Sequence, residues 1–321
     1  MKRLLVIRFS ALGDVAMLAP IVRNAAEQNP GVEITVLSQQ RMADLFVGMP
    51  DNVVFYGVDV RKQSLREIVA VLGQFDAVAD MHGVWRSLYI RTAMRLREAH
   101  VATIRKDRIA RFLLTHHLSR TPLRHMSLRY YDVLRRLGFV SQDTDEIPTR
   151  YRQNKKGELI GIAPFAAHRG KIYPVEHMEE VVKLLSQAGE KVVLFGGGKK
   201  EKEILESWAV KYHGVESIAG KYSLAEELDI MRGLKVMVSM DSANMHLASL
   251  AGTRVVSIWG ATHPYAGFLG IGQRIEDCVQ RDLRCRPCSV YGNKKCKYGD
   301  YRCMEIAPEE IVEKVKSENC H

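Results

Sequence analysis

Short apolar runs alternate with helical patterns along nearly the whole chain, and the pattern is laid down twice. In the first half the runs are LLVIRF (4–9), VEITVLS (32–38), VVFYGV (53–58) and AVADM (77–81). Apolar residues at helical spacing lie between them, near 64–73 and 85–97, and again from Tyr130 to Leu137, where Gly138 ends the pattern. In the second half the runs are LIGIAP (159–164), KVVLFG (191–196), VESIAG (215–220), KVMVSM (235–240) and TRVVSIWG (253–260). Helical patterns fall at about 175–188, 199–212, 224–233 and 244–251. Short strands separated by helices build parallel sheets covered on both faces. The expected fold class is therefore α/β, two doubly wound Rossmann-like domains facing a central cleft. Ligands of such sheets bind beyond the carboxyl ends of the strands, which selects the turns to inspect.

Residues 139–157, FVSQDTDEIPTRYRQNKKG, break the apolar rhythm with charge, Pro148 and Gly157. They read as the connection between domains expected at 1–150 and 151–321, each long enough to bury a core. No stretch of about 18 apolar residues is present, so no transmembrane helix is expected. The N-terminal apolar run is broken by Arg8 and lacks a small-residue cleavage site, so it reads as a strand and not as a signal peptide. The expected location is cytoplasmic.

The net charge of +10 is unevenly placed. Between Arg86 and Arg136 there are 13 Lys and Arg against Glu98, Asp107 and Asp132, an excess equal to that of the whole chain. Twelve of the 13 are Arg, which suits forked contacts to phosphate or carboxylate. The stretch is either a solvated helical surface or an anion-facing wall. Nucleic acid is disfavoured as a partner, because no binding motif or aromatic platform accompanies the charge.

Five turns at strand ends carry candidate chemistry. Ser10–Asp14 has one glycine, Gly13, where a dinucleotide fingerprint would need three. Asp14 reads either as a helix cap or as a base facing the cleft. The loop 162–174 holds His168, Arg169 and Lys171, and Lys171 suits a diphosphate whose charge grows as it departs. The triplet Gly196–Gly198 could cradle phosphate but lacks P-loop spacing. Asp241-Ser242 precede a helix opening with Ala243-Asn244-Met245-His246, and the free amides there form an anion site. Thr262 and His263 follow the next strand, with Gly260 permitting close approach.

The motifs RFSALGDVAMLAP, DMHGVWRS, IAPFAAHRGKIYP, DSANMHLASLAGT and WGATHP occur in this order. Together they resemble those of the bacterial lipopolysaccharide heptosyltransferases, glycosyltransferase family 9, over roughly residues 1–310. The resemblance implies a GT-B fold, with an N-terminal acceptor-binding domain and a C-terminal nucleotide-sugar-binding domain. It implies inverting transfer of a heptose from ADP-heptose to the lipid A-linked inner core of lipopolysaccharide, with no cofactor and no catalytic metal. Asp14 then corresponds to the base and Lys171 to the lysine at the donor phosphates. Gly13, Asp241, Ser242, Ala243, His246 and Thr262 correspond to donor-binding positions. The basic stretch lies in the acceptor half, with Arg86, Arg91 and His125 as candidate acceptor contacts. The implied partners are a nucleotide-sugar donor and an anionic lipid-linked oligosaccharide, with peripheral contact at the inner face of the inner membrane. Two departures stand out: Ala243 where the family has glycine, and Asn244 where proline or leucine is common.

Six cysteines fall at 278, 285, 288, 296, 303 and 320. Cys285, Cys288, Cys296 and Cys303, within the segment 278–303, follow C-x2-C-x7-C-x6-C, compatible with a structural Zn2+ though not a standard finger spacing. Alternative functions are a transferase of the same fold with another nucleotide-sugar or acceptor, and a nucleotide-binding oxidoreductase, which the missing glycines disfavour. A silent membrane- or nucleic-acid-binding protein using the basic stretch is a third.

Overall fold

The computed structural model describes residues 2–140 and 157–317. Most of the connection expected over 139–157, the boundary expected at 150/151 and Cys320 lie outside the described residues. The chain divides into two compact units, Met1–Lys106 with His125–Pro148, and Asp107–Arg124 with Thr149–His321.

The first unit carries five strands: β1 (Lys2–Ile7), β2 (Val32–Gln39), β3 (Val53–Val58), β4 (Ala77–Asp80) and β5 (His100–Thr103). They pair in parallel in the order β3-β2-β1-β4-β5. Growth starts at β1, proceeds to β3 on one side, then jumps to β4 and β5 on the other. Helices α1 (Leu12–Gln28), α2 (Leu65–Val71), α3 (Trp85–Leu96) and α5 (Met126–Arg136) cover the sheet. Leu5, Ile7, Leu37 and Val78 of the strands pack with Ile68 of α2 and Ile90 and Met94 of α3 in one buried cluster. The β-branched runs supply the flat, doubly buried strands that a parallel sheet requires.

The second unit is a six-stranded parallel sheet in the order β11-β10-β9-β6-β7-β8. Its strands are β6 (Leu159–Ala163), β7 (Lys191–Leu194), β8 (Val215–Ser217), β9 (Leu234–Met240), β10 (Val255–Trp259) and β11 (Cys278–Gln280). Its helices include α6 (Val175–Gln187), α7 (Lys199–Lys211), α8 (Leu224–Arg232), α9 (Ala243–Leu250) and α10 (Pro308–Lys316). One further helix, α4 (Arg108–Thr115), belongs to this unit although the sequence places it in the first half. The reason is a small apolar cluster in which Leu114 and Leu123 pack with Ala266 and Val290. The Leu123 amide also donates to the Tyr265 carbonyl at 2.7 Å. The basic stretch 86–136 is thus divided between the two units.

Among the described residues, no helix is long and apolar enough to cross a membrane.

Candidate active site

In the second unit the order of strands reverses between β6 and β9, the position where ligands of open α/β sheets bind. Side chains from the turns after these two strands meet there. Lys171, in a short 3-10 turn after β6, places Nζ 2.8 Å from Oδ2 of Asp241, just past β9, and both side chains are largely buried. Gly292 has a φ of +73°, and a Cβ on it would come within 2.6 Å of Lys171 Cγ, so glycine is required where this backbone lies along the lysine stem. Ser242 is the N-cap of α9, yet its hydroxyl turns to Ser239 Oγ at 3.3 Å and bonds no helix amide. The first turn of α9 therefore has no side-chain cap. Ala243 is its first residue and lies outside the positive-φ set, so the methyl is accommodated without strain. His246 is buried on the same helix.

Past β10 the Ala261 amide donates to the Gly170 carbonyl at 2.8 Å, tying this turn to the Lys171 turn. Thr262 is fully buried, and its Oγ1 meets no partner among the described residues. Arg286 donates to the carbonyls of Trp259 at 3.0 Å and Thr262 at 2.8 Å, and also to that of Gly260. Its guanidinium holds the turn in shape. His263 accepts from the Tyr265 amide at 3.0 Å. Burial, with Arg286 nearby, pushes its pKa down to about 4.

In the first unit the corresponding reversal lies between β1 and β4. Arg8, buried just past β1, donates to the Ser10 carbonyl at 2.7 Å and the Met81 carbonyl at 2.6 Å. Its Nη2 lies 2.6 Å from Asp14 Oδ2. That oxygen also accepts from the Ala11 amide at 3.1 Å, so Asp14 does cap its own helix from the third position of α1. The other oxygen, Oδ1, is buried and has no partner among the described residues. Gly13, beside it, is buried in the same first turn. At the end of β4, Asp80 is fully buried and accepts from the amides of His82 at 3.0 Å and Gly83 at 2.8 Å and from Ser87 Oγ at 3.0 Å. These bonds fold DMHGVWRS into a tight loop that sets His82 near Arg8. His82 Nε2 lies 3.5 Å from Ser10 Oγ. Burial first, then the Arg8 charge, push the His82 pKa down to about 4, so the ring is neutral.

Residues 63–299 match the family model described as glycosyltransferase family 9 (heptosyltransferase). The chain belongs to this family. This family 9 glycosyltransferase is 22% identical to the lipopolysaccharide core heptosyltransferase OpsX of Haemophilus influenzae, over 98% of this chain and 96% of that protein. Its fold matches a family 9 glycosyl transferase from Veillonella parvula with a TM-score of 0.74 at 19% identity, covering 98% of this chain and 96% of that one. It also matches the E. coli heptosyltransferase WaaC solved with ADP-2-deoxy-2-fluoro heptose, with a TM-score of 0.68 at 20% identity, covering 97% and 99%. The two doubly wound sheets are those of the GT-B class of α/β fold.

Other expected site residues of the family 9 enzyme are occupied elsewhere. Arg91 is ion-paired with Asp80 at 3.2 Å, and the His125 side chain accepts from the Ser127 amide as the N-cap of α5. Arg86 lies over the Trp85 ring, 5.1 Å from its centroid. Arg97 donates to the Leu72 and Val69 carbonyls and Arg136 to the Thr103 carbonyl, so much of the basic stretch staples backbone. The Gly197 amide is taken by Glu201 Oε2 at 2.8 Å, which makes the glycine triplet a tight turn. No group of three or more His, Cys, Asp or Glu side chains among the described residues is placed to hold a metal ion, so the four-cysteine zinc set is not assembled. The Cys288 thiol instead donates to the Ala261 carbonyl and the Cys296 thiol to Asp300.

Two groups escaped sequence reasoning. His82 sits inside a quoted motif, but only the fold brings it to Arg8. Glu227 of α8 is partly buried, has no side-chain partner among the described residues, and is pushed up to about 7 by burial. Its neighbour Glu226 completes a capping box with Ser223, so the pair reads as ordinary helix-start chemistry.

Proposed function

We propose that this enzyme transfers a heptose from ADP-heptose to a hydroxyl of the lipid A-linked inner core of lipopolysaccharide, with inversion at the anomeric carbon. The names of the relatives support donor and acceptor. The observation that carries the chemistry is Asp14: one oxygen is anchored by Arg8 and Ala11, while the other is buried and unbonded. A carboxylate so held has a fixed orientation and one free acceptor site, as a general base needs.

In this reading the first unit takes the acceptor and the second takes the nucleotide-sugar. The acceptor oxygen attacks the anomeric carbon from the face opposite ADP, and its proton passes to Asp14 Oδ1. The C1–O bond to ADP breaks in the same displacement, which inverts the centre. Negative charge growing on the departing diphosphate is met by Lys171, by the opening amides of α9 and by the Thr262 hydroxyl. Asp241 holds the lysine in place, and Ser242, Ala243 and His246 line the donor site in the second unit, while Gly13 stands beside Asp14 in the first. Arg91 acts through Asp80, and Arg86, lying over Trp85, is the cation of this stretch that meets acidic groups of the acceptor. No step needs a cofactor. The enzyme works at the cytoplasmic face of the inner membrane, in peripheral contact with it.

Calorimetric titration with ADP-heptose, followed by NMR assignment of the product anomer on a core acceptor, tests the proposal. Tight ADP-heptose binding and an inverted product are expected. Retention of configuration would remove the single-displacement step, and preference for another nucleotide-sugar would remove the donor.

A further inference from the structure

Helix α3 of the first unit is apolar on the side where a surface helix should be polar. Ser87, Ile90 and Met94 face inward and are buried. The opposite face carries Trp85, Leu88, Tyr89 and Leu96, exposed by 66%, 48%, 47% and 82%, with Thr92 exposed among them. The positions 85, 88, 89, 92 and 96 repeat at helical spacing, so these side chains form one continuous outward stripe. Its edges are cationic. Within α3, Arg86 and Arg95 supply this charge and no residue is acidic, while Arg91 is taken by Asp80. Arg86 lies against Trp85, and Arg95 is exposed with no ion pair or hydrogen bond among the described residues.

We infer that the outward face of α3 docks the enzyme on an anionic lipid surface. This deepens the proposed function, resting on its lipid-borne acceptor, by naming the element that makes the contact. Trp and Tyr are the side chains best suited to a membrane interface, with a large apolar body and a polar tip, and leucine beside them adds buried apolar area. Flanking arginines pair with lipid phosphates in the same layer. A second copy of the chain fits poorly. A two-fold contact through this face would set its arginines against their own copies, with no carboxylate on the helix to offset them. A lipid surface supplies negative charge without requiring any particular register.

The whole chain has three tryptophans, and Trp208 and Trp259 are both buried, so Trp85 reports on this face alone. The test mixes the full-length enzyme with vesicles of phosphatidylcholine, or of phosphatidylcholine containing about a third phosphatidylglycerol. Sedimentation and Trp emission are read at low and high salt. Binding to the anionic vesicles, a blue shift of Trp85 and at least tenfold weaker binding at high salt are expected. Trp85→Ser/Leu88→Ser/Leu96→Ser should lose at least tenfold in binding while its thermal melt stays unchanged. Arg95→Glu, a single exposed change, carries the test if the triple variant does not fold. No binding, equal binding to both vesicles, or unchanged binding by both variants would overturn the inference. So would a dimer, or capture of an acidic protein, that the same variants abolish in the absence of lipid. Transfer to a deacylated, water-soluble acceptor is measured in parallel. Loss of that transfer with vesicle binding intact would sink the proposed reaction and leave the docking face standing.

Discussion

Where β1 and β4 part in the first unit, the buried ion pair is Arg8–Asp14; where β6 and β9 part in the second, it is Lys171–Asp241. The two differ in what they leave unused. In the first pair the arginine bonds through Nε, Nη1 and Nη2, and the spare capacity is an acceptor, Asp14 Oδ1. In the second pair the lysine has Asp241 as its one partner among the described residues, so the spare capacity is donor protons on Nζ. A nearby hydroxyl turn, Thr262, is also unpartnered. Both sheets use the same topology and an internal pair of opposite charges, but one ends in a proton acceptor and the other in a cluster of donors. A group transfer that deprotonates a nucleophile and releases an anion needs one of each.

The sharpest break of that comparison is Asp14→Asn. The amide keeps the size and can still accept from Ala11, but it cannot take a proton. Turnover should fall by about 10²–10⁴-fold while ADP-heptose affinity stays within about threefold. Ordinary turnover in the Asp14→Asn enzyme would show the spare acceptor to be incidental. Lys171→Met acts on the other half and should lower both donor affinity and turnover, the latter by about 10²–10³-fold. It also strands Asp241 in a buried site, at a cost of about 3–5 kcal/mol in stability. Lys171→Met/Asp241→Asn should recover most of that stability without recovering activity, and the pair of melting curves distinguishes the two losses.

Much of this was legible from residue order alone. The β-branched runs marked nine strands, and the strand-end rule picked out Asp14, Lys171, Asp241 and Thr262. The missed strands, β5 and β11, are His-Val-Ala-Thr and Cys-Val-Gln, each the strand at one edge of its sheet. The placement of α4 was not legible either, because it depends on Leu114 and Leu123 meeting Ala266 and Val290, far away in sequence. Charge count misled for a similar reason: Arg91 and Arg97 look like surface cations until Asp80 and the α2 carbonyls are seen beside them. His82 needed Arg8 as a neighbour before its chemistry could be read.

Thr262→Val is a gentler probe of the donor cluster. The hydroxyl is buried without a partner among the described residues, so removing it should leave stability unchanged or raise it by about 1 kcal/mol. Donor affinity should nevertheless drop, by up to about tenfold. A change in stability without any change in affinity would place the hydroxyl outside the donor site.

The smallest effect concerns acid. His82 in the first unit and His263 in the second are both held neutral, with pKa values pushed from 6.5 down to about 4 by burial and by an arginine. The unfolded chain binds these protons below pH 6.5 and the folded one only near pH 4. Each histidine's contribution is therefore fully present above pH 6.5 and is lost as pH falls from there through 4. Both rings keep some solvent contact, so the loss is about 1 kcal/mol each after screening. Urea titrations at pH 7.5 and pH 4.5 check this. His82→Gln should shrink the acid loss of the first unit and His263→Gln that of the second, with the two effects adding because the groups share no partner. If neither variant flattens the acid limb between pH 6.5 and 4, the neutral histidines are not what couples either unit to pH.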